Sequence, residues 1–283
     1  MIKQWLEEYH PKTLAEAEMA LREIMQDIAL AGLQRSGFFE KAAFYGGTAL
    51  RIFHGLERFS EDLDFSLLET GPDFSLGPYL EGINAEFNAA GMLVSVKGKS
   101  KTFNTDIDSA FLKSETSWKE LILEKIMPQA GLSNIPEVKI KLEVDTSPPG
   151  GFNTEEKLLL RPFSFYVKCF TLPDLFAGKM HALLFRKWKT RVKGRDWFDM
   201  EWYIKKGIPL HLDHLTIRAI DSGDWEKKSM TRNDFMKLLH NKIEVVSFNR
   251  IREDIIRFIP DEKVLDIWSA RYFTDLSEKI RFI

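Results

Sequence analysis

The chain has 283 residues, of which 44% are hydrophobic and 29% charged, and its formal net charge is −2. This is a globular composition, large enough for one big domain or two modest ones, and it excludes a generally basic character. Any contact with nucleic acid must therefore come from a local patch. Cys169 is the only cysteine, which excludes an internal disulfide and a cysteine-based metal site and fits a reducing compartment. The start, MIKQWLEEYH, lacks the basic and apolar regions of a signal peptide, and no run approaches ~20 apolar residues. The expectation is a cytoplasmic protein with no membrane partner.

Residues 12–31 predict an amphipathic helix, with Leu14, Leu21, Ile24, Met25 and Ile28 at near-helical spacing and Gly32 ending or weakening it. Ala42 to Tyr45 predicts a short strand stopped by Gly46-Gly47. Thr48 then caps a helix over 49–54, which Gly55 ends. Asp62, Asp64 and Ser66 alternate with Leu63, Phe65 and Leu67, the period of a strand. A helix over 77–91, a strand from Leu93 to Lys97, and a strand then helix over 102–126 follow. Val138 to Val144 is another alternating strand.

Pro148-Pro149-Gly150-Gly151 marks a domain boundary. Beyond it come a strand from Phe163 to Phe170, a helix from Pro173 to about Arg191, and a break at Gly194. A second helix spans about Asp196 to Lys206, and further helices fill 211–283. The fold class is therefore α+β, with a mixed sheet first and a mostly helical part second. The boundaries read 1–150 and 151–283.

Asp62 and Asp64 sit two apart in a strand-like run, so their carboxylates share one face. Two such charges repel unless a cation lies between them. Magnesium suits the pair, since it prefers oxygen ligands and binds through one or two carboxylates plus substrate phosphates. Gly46-Gly47 lies between an apolar strand and a helix start, where small residues let backbone amides approach a phosphate. Asp106 and Asp108 repeat the Asp-x-Asp pattern in a stretch of weak periodicity and read as surface loop.

The run Gly46-Gly47-Thr48-Ala49-Leu50, followed by Arg58, Ser60, Asp62, Leu63, Asp64 and Phe65, resembles the first motif of the AbiEii/AbiGii toxin family of nucleotidyltransferases. That resemblance implies a polymerase-β-like nucleotidyltransferase sheet and a metal-dependent transfer of a nucleoside monophosphate from a nucleoside triphosphate. Members act as toxins of bacterial toxin–antitoxin and phage-defence systems, and some modify the 3′ end of tRNA.

Two-metal phosphoryl transfer needs a further carboxylate. The strand from Ile140 to Asp145 offers Glu143 and Asp145 on one face, and the resemblance favours Glu143. Downstream, Lys179 and Arg186 are seven apart on one side of a predicted helix, and Asp196 and Asp199 are neighbours on the next. The order Lys179, Ala182-Leu183, Arg186, Arg195-Asp196, Asp199 is similar to the family's downstream motif. Arg186 to Arg195 also holds Lys187, Lys189, Arg191 and Lys193 around Trp188, a natural bed for an RNA backbone. His211 and His214 have no third ligand nearby in sequence and do not read as a metal site.

The expected catalytic residues are accordingly Asp62, Asp64, Glu143, Lys179 and Asp196, the first three also holding Mg2+ or Mn2+. Gly46, Gly47, Thr48, Arg58, Ser60, Arg186 and Arg195 are the expected substrate-binding set. The expected partners are a nucleoside triphosphate, an RNA acceptor such as tRNA, and a separately encoded antitoxin. Transfer to a protein or small molecule, or a non-catalytic partner of the same fold, is the competing reading.

Overall fold

A computed structural model describes residues 1–99, 107–114, 138–186 and 193–283. The expected helix after residue 114 and the basic run's Lys187, Trp188, Lys189 and Arg191 lie outside the described residues. The chain forms two compact units: residues 1–48, 61–148 and 156–169 make the first, and 49–60, 149–155 and 170–283 make the second.

The first unit opens with α1 (Ile2–Glu8) and α2 (Leu14–Arg35). Thr13 caps α2 by accepting the Glu16 amide at 3.2 Å. Leu21, Ile24, Met25 and Ile28 form the predicted buried stripe. The helix runs past Gly32 because that glycine serves packing rather than termination. It faces α4 (Gly77–Ala89), and a Cβ at residue 32 would lie 2.5 Å from Ile83 Cα.

Seven strands form one mixed sheet: β1 (Ala42–Tyr45), β2 (Leu63–Leu67), β3 (Val94–Lys99), β4 (Ile107–Ser114), β5 (Lys139–Asp145), β6 (Thr154–Leu159) and β7 (Phe165–Phe170). Their order is β3-β4-β5-β2-β1-β7-β6. The pairs β1–β2, β3–β4 and β4–β5 are antiparallel, while β2–β5 and β1–β7 are parallel. The central strands bury Phe44, Leu63, Phe65, Ile140, Leu142 and Val144, so the apolar half of each alternating pattern faces the core. The surface-loop expectation fails for Asp108. It lies on β4, is buried, and accepts the Leu76 amide at 2.6 Å. Asp106 lies outside the described residues.

The second unit is helical: α5 (Leu172–Phe185), α6 (Gly194–Lys205), α7 (Leu212–Asp221), α8 (Arg232–Val245), α9 (Phe248–Ile255) and α10 (Ala270–Ser277). Phe176, Tyr203, Phe235, Trp268 and Phe273 fill its core. Gly194 does not break a helix but begins α6. It has no room for a Cβ, because the Ile251 carbonyl of α9 already occupies that space.

The single boundary read near residue 150 becomes an interleaving. Residues 49–60 belong with the helices for a physical reason: Arg58 is bonded to Asp199, and the Phe59 amide donates to the Phe258 carbonyl at 2.8 Å. Residues 156–169 return to the first unit because β6 and β7 extend its sheet. Among the described residues no helix is long and apolar enough to cross a membrane.

Candidate active site

The Gly46-Gly47-Thr48 segment is the first turn of α3 (Gly46–His54), not a loop before it. Gly46 has φ +83°, a conformation that glycine adopts without steric cost. A Cβ there would lie 2.5 Å from Asp64 Oδ2, so the turn is pressed against the carboxylate. Thr48 is inside the helix and fully buried, not at its cap. Its hydroxyl donates to the Asp62 carbonyl at 2.5 Å, tying the first turn to the residue just before β2. The Thr48 side chain is thus spent on structure. What the turn can offer a ligand is its backbone amides, since the first amides of a helix have no acceptor within the helix.

Asp62 lies immediately before β2 and Asp64 within it, both half-buried. Asp64 is in register with Glu143 across the parallel pair β2–β5, and Ser66 with Asp145. Neighbours in register share a face of the sheet, so Asp64 and Glu143 stand side by side. Glu143 Oε1 already has a cation, Lys141 Nζ, at 2.5 Å. Asp145 instead accepts the Ser147 amide at 3.1 Å in a local turn. Asp62, Asp64 and Glu143 supply only carboxylate oxygens, the donor type of magnesium and manganese. Among the described residues no three such side chains form a ready-made cage. Two carboxylates completed by substrate phosphates is nonetheless the usual magnesium arrangement, and the donors present fit it.

In the second unit, Lys179 of α5 reaches two carboxylates of α6. Its Nζ lies 3.0 Å from Asp196 Oδ1 and 2.9 Å from Asp199 Oδ2. Burial works against the ammonium, but Asp199 and Asp196 outweigh it and hold the Lys179 pKa above the ordinary lysine value. Asp199 is buried too. Arg58 and then Lys179 overcome that burial and hold it below the usual carboxylate range. Arg186 follows the end of α5, exposed, with Nη1 3.8 Å from Asp196.

Three expected substrate ligands are placed differently. Arg58 is 2% exposed. Its Nε and Nη2 each donate to Asp199 at 2.6 Å, leaving no open fork for a phosphate. Ser60 is buried. Arg195 stacks its guanidinium over Phe258 at 4.3 Å. The histidines are framework groups: His211 pairs with Asp174 at 2.6 Å and His214 with the Gly150 carbonyl at 3.0 Å. Lys141, whose spacing puts it on one polar face with Glu143 and Asp145, was given no part in the site from the sequence.

The family model for the nucleotidyl transferase AbiEii toxin of type IV toxin–antitoxin systems matches residues 28–278. The chain belongs to this family. It is thus a nucleotidyltransferase of the toxin–antitoxin kind, with a nucleotide substrate and an antitoxin partner. Two solved structures share the fold of this AbiEii-family chain. JHP933 from Helicobacter pylori is 16% identical with a TM-score of 0.54, the match covering 92% of this chain and 90% of that one. A second Helicobacter pylori structure, described as that of a candidate nucleotidyltransferase, is 17% identical with a TM-score of 0.50 and covers 90% of each. No curated protein matches the sequence.

Proposed function

We propose that this AbiEii-family enzyme transfers a nucleoside monophosphate to an RNA hydroxyl in a metal-dependent reaction centred on Asp62 and Asp64. The observation that carries the proposal is the contact of Gly46 with Asp64. It sets the amino end of α3, suited to phosphate, directly against a carboxylate suited to a divalent cation.

Asp62 and Asp64 would hold magnesium or manganese, which supplies charge neutralisation for the triphosphate. The amides of Gly46, Gly47 and Thr48 receive phosphate oxygens. Glu143 takes the proton of the incoming hydroxyl, whose oxygen bonds the α-phosphorus as the bond to the β-phosphate oxygen breaks and pyrophosphate leaves. Lys179, kept charged by Asp199 and Asp196, offers its ammonium to a substrate phosphate. Asp196 acts with it by fixing that ammonium. An RNA acceptor is favoured over a protein or small molecule by the cations gathered between Arg186 and Arg195.

The test incubates the protein with magnesium, total tRNA and each α-labelled nucleoside triphosphate in turn. Label entering RNA from one nucleotide, and lost with Asp64→Ala, is the expected result. Label entering protein or a small molecule instead would move the acceptor. Undiminished transfer by a folded Asp64→Ala would remove the assignment of Asp64.

A further inference from the structure

The second unit contains a cavity of about 260 Å³ whose lining reaches beyond Arg186 and Asp196 to side chains that the reaction above does not use. Among the described residues four cations line it, Arg186, Lys193, Lys242 and Arg250, against one carboxylate, Asp196. That carboxylate is already engaged by Lys179 at 3.0 Å. The positive charge in the cavity is therefore unbalanced. Among the described residues neither Lys193 nor Arg250 has a carboxylate within ion-pair distance. Among the described residues Lys242 Nζ reaches the Leu184 carbonyl alone, at 3.4 Å. Burial, and then the neighbouring Arg186, push the Lys193 ammonium down to about 8.

The amino ends of two helices also border the cavity. Lys193 is the N-cap residue of α6 and Ser247 that of α9, and neither side chain caps its own helix. The Gly194 amide of α6 already donates to Asp254 Oδ2 at 2.9 Å, so it is the amino end of α9 whose partial positive charge adds to the four cations.

We propose that this cavity is a phosphate-binding pocket, with Lys193, Lys242 and Arg250 as further binding residues. Its occupant is a phosphate oxyanion, carried either by the backbone of the RNA acceptor or by the nucleoside triphosphate. The proposal deepens the function proposed above and rests on it for the identity of these two carriers. Lys242 and Arg250 lie 43 and 51 residues beyond the motif that ends at Asp199, on α8 and α9, so their place beside Arg186 is a product of the fold.

The experiment uses the full chain and the charge-removing double variant Lys242→Gln/Arg250→Gln, with Lys242→Arg/Arg250→Lys as the charge-keeping control. Binding of a fluorescent single-stranded RNA is read by anisotropy across a salt series. Binding of a nucleoside triphosphate is read by calorimetry. The charge-removing variant should weaken one probe about tenfold or more, and for RNA should lower the salt slope by about one per contact removed. The charge-keeping control should bind nearly as the parent does. Loss confined to RNA assigns the pocket to the acceptor, and loss confined to the nucleotide assigns it to the donor. Parental affinity for both probes in a folded variant overturns the proposal. Arg250 is exposed, so Arg250→Gln alone supplies the same reading if the double variant loses its fold. Asp64→Ala is run alongside and should bind RNA as the parent does, so a failed chemical assignment is distinguishable from a failed pocket.

Discussion

Arg58 closes a two-pronged ion pair on Asp199, with both contacts at 2.6 Å and both side chains sealed from solvent. Lys179 completes the group by donating to the same carboxylate. Removing the acid would strand the Arg58 guanidinium in a dry interior and leave Lys179 with Asp196 alone. Asp199→Ala should therefore destabilise the protein by about 3–5 kcal/mol. The double change Arg58→Met/Asp199→Leu should recover much of that loss, because it removes the stranded charge along with the pair. Thermal unfolding of the variants reads both, and a mild effect of Asp199→Ala would contradict the geometry.

Gly46→Ala should abolish most transfer while leaving the fold intact. The new methyl meets Asp64 Oδ2, and the residue must hold φ +83° at a cost of about 1–3 kcal/mol. Gly55→Ala is the matched control. It also has positive φ, +72°, but nothing lies within 4 Å of its Cβ. The two variants should melt alike within a few degrees, while only Gly46→Ala loses label transfer.

Thr48 separates a structural hydroxyl from a substrate-binding one. Thr48→Ser keeps the bond to the Asp62 carbonyl and should keep activity. Thr48→Val leaves that carbonyl without its buried donor and should cost about 1–3 kcal/mol of stability. If the hydroxyl served only the fold, nucleotide affinity in the residual folded Thr48→Val would be unchanged. A selective rise in KM for the nucleotide would show that it also touches substrate.

Asp27 predicts a pH dependence of stability. It is buried on α2, with Arg161 Nη2 at 3.2 Å. Burial raises its carboxyl pKa, Arg161 opposes this, Glu23 adds to it, and the outcome is about 7. The unfolded carboxyl titrates near 4. Between those values the folded protein binds the extra proton, so this contribution is full at low pH and fades as pH rises through 7. Asp27→Asn should raise the melting temperature at pH 8 and flatten its change between pH 5 and 8. Parallel melting curves for parent and variant would sink this.

Local signals in the sequence carried much of the fold and part of the site. The strand Ala42–Tyr45, the alternation from Leu63 to Leu67 and the glycine after His54 depend on neighbours in sequence, and they emerged close to their expected positions. The role of Gly32 did not, because a glycine that ends a helix and one that admits another helix look alike until Ile83 is in place. β6 was missed because its Glu155, Glu156 and Lys157 give an edge strand none of the apolar rhythm of a central one. The pairing of Asp64 with Glu143 is a matter of register between strands far apart in sequence. Arg58 was read as a ligand because its charge was visible and its partner, 141 residues later, was not.

The position of β7 has a consequence for incomplete chains. β1, with its buried Ala42, Ala43 and Phe44, lies between β2 and β7, and β7 arrives only after the boundary at residues 148–151. A fragment ending there would keep Asp62, Asp64 and Glu143 yet present β1 as a bare apolar edge, a template for joining other chains. A trimmed first half should therefore aggregate rather than act as a minimal toxin, and synthesis must run through Phe170 before that edge is protected.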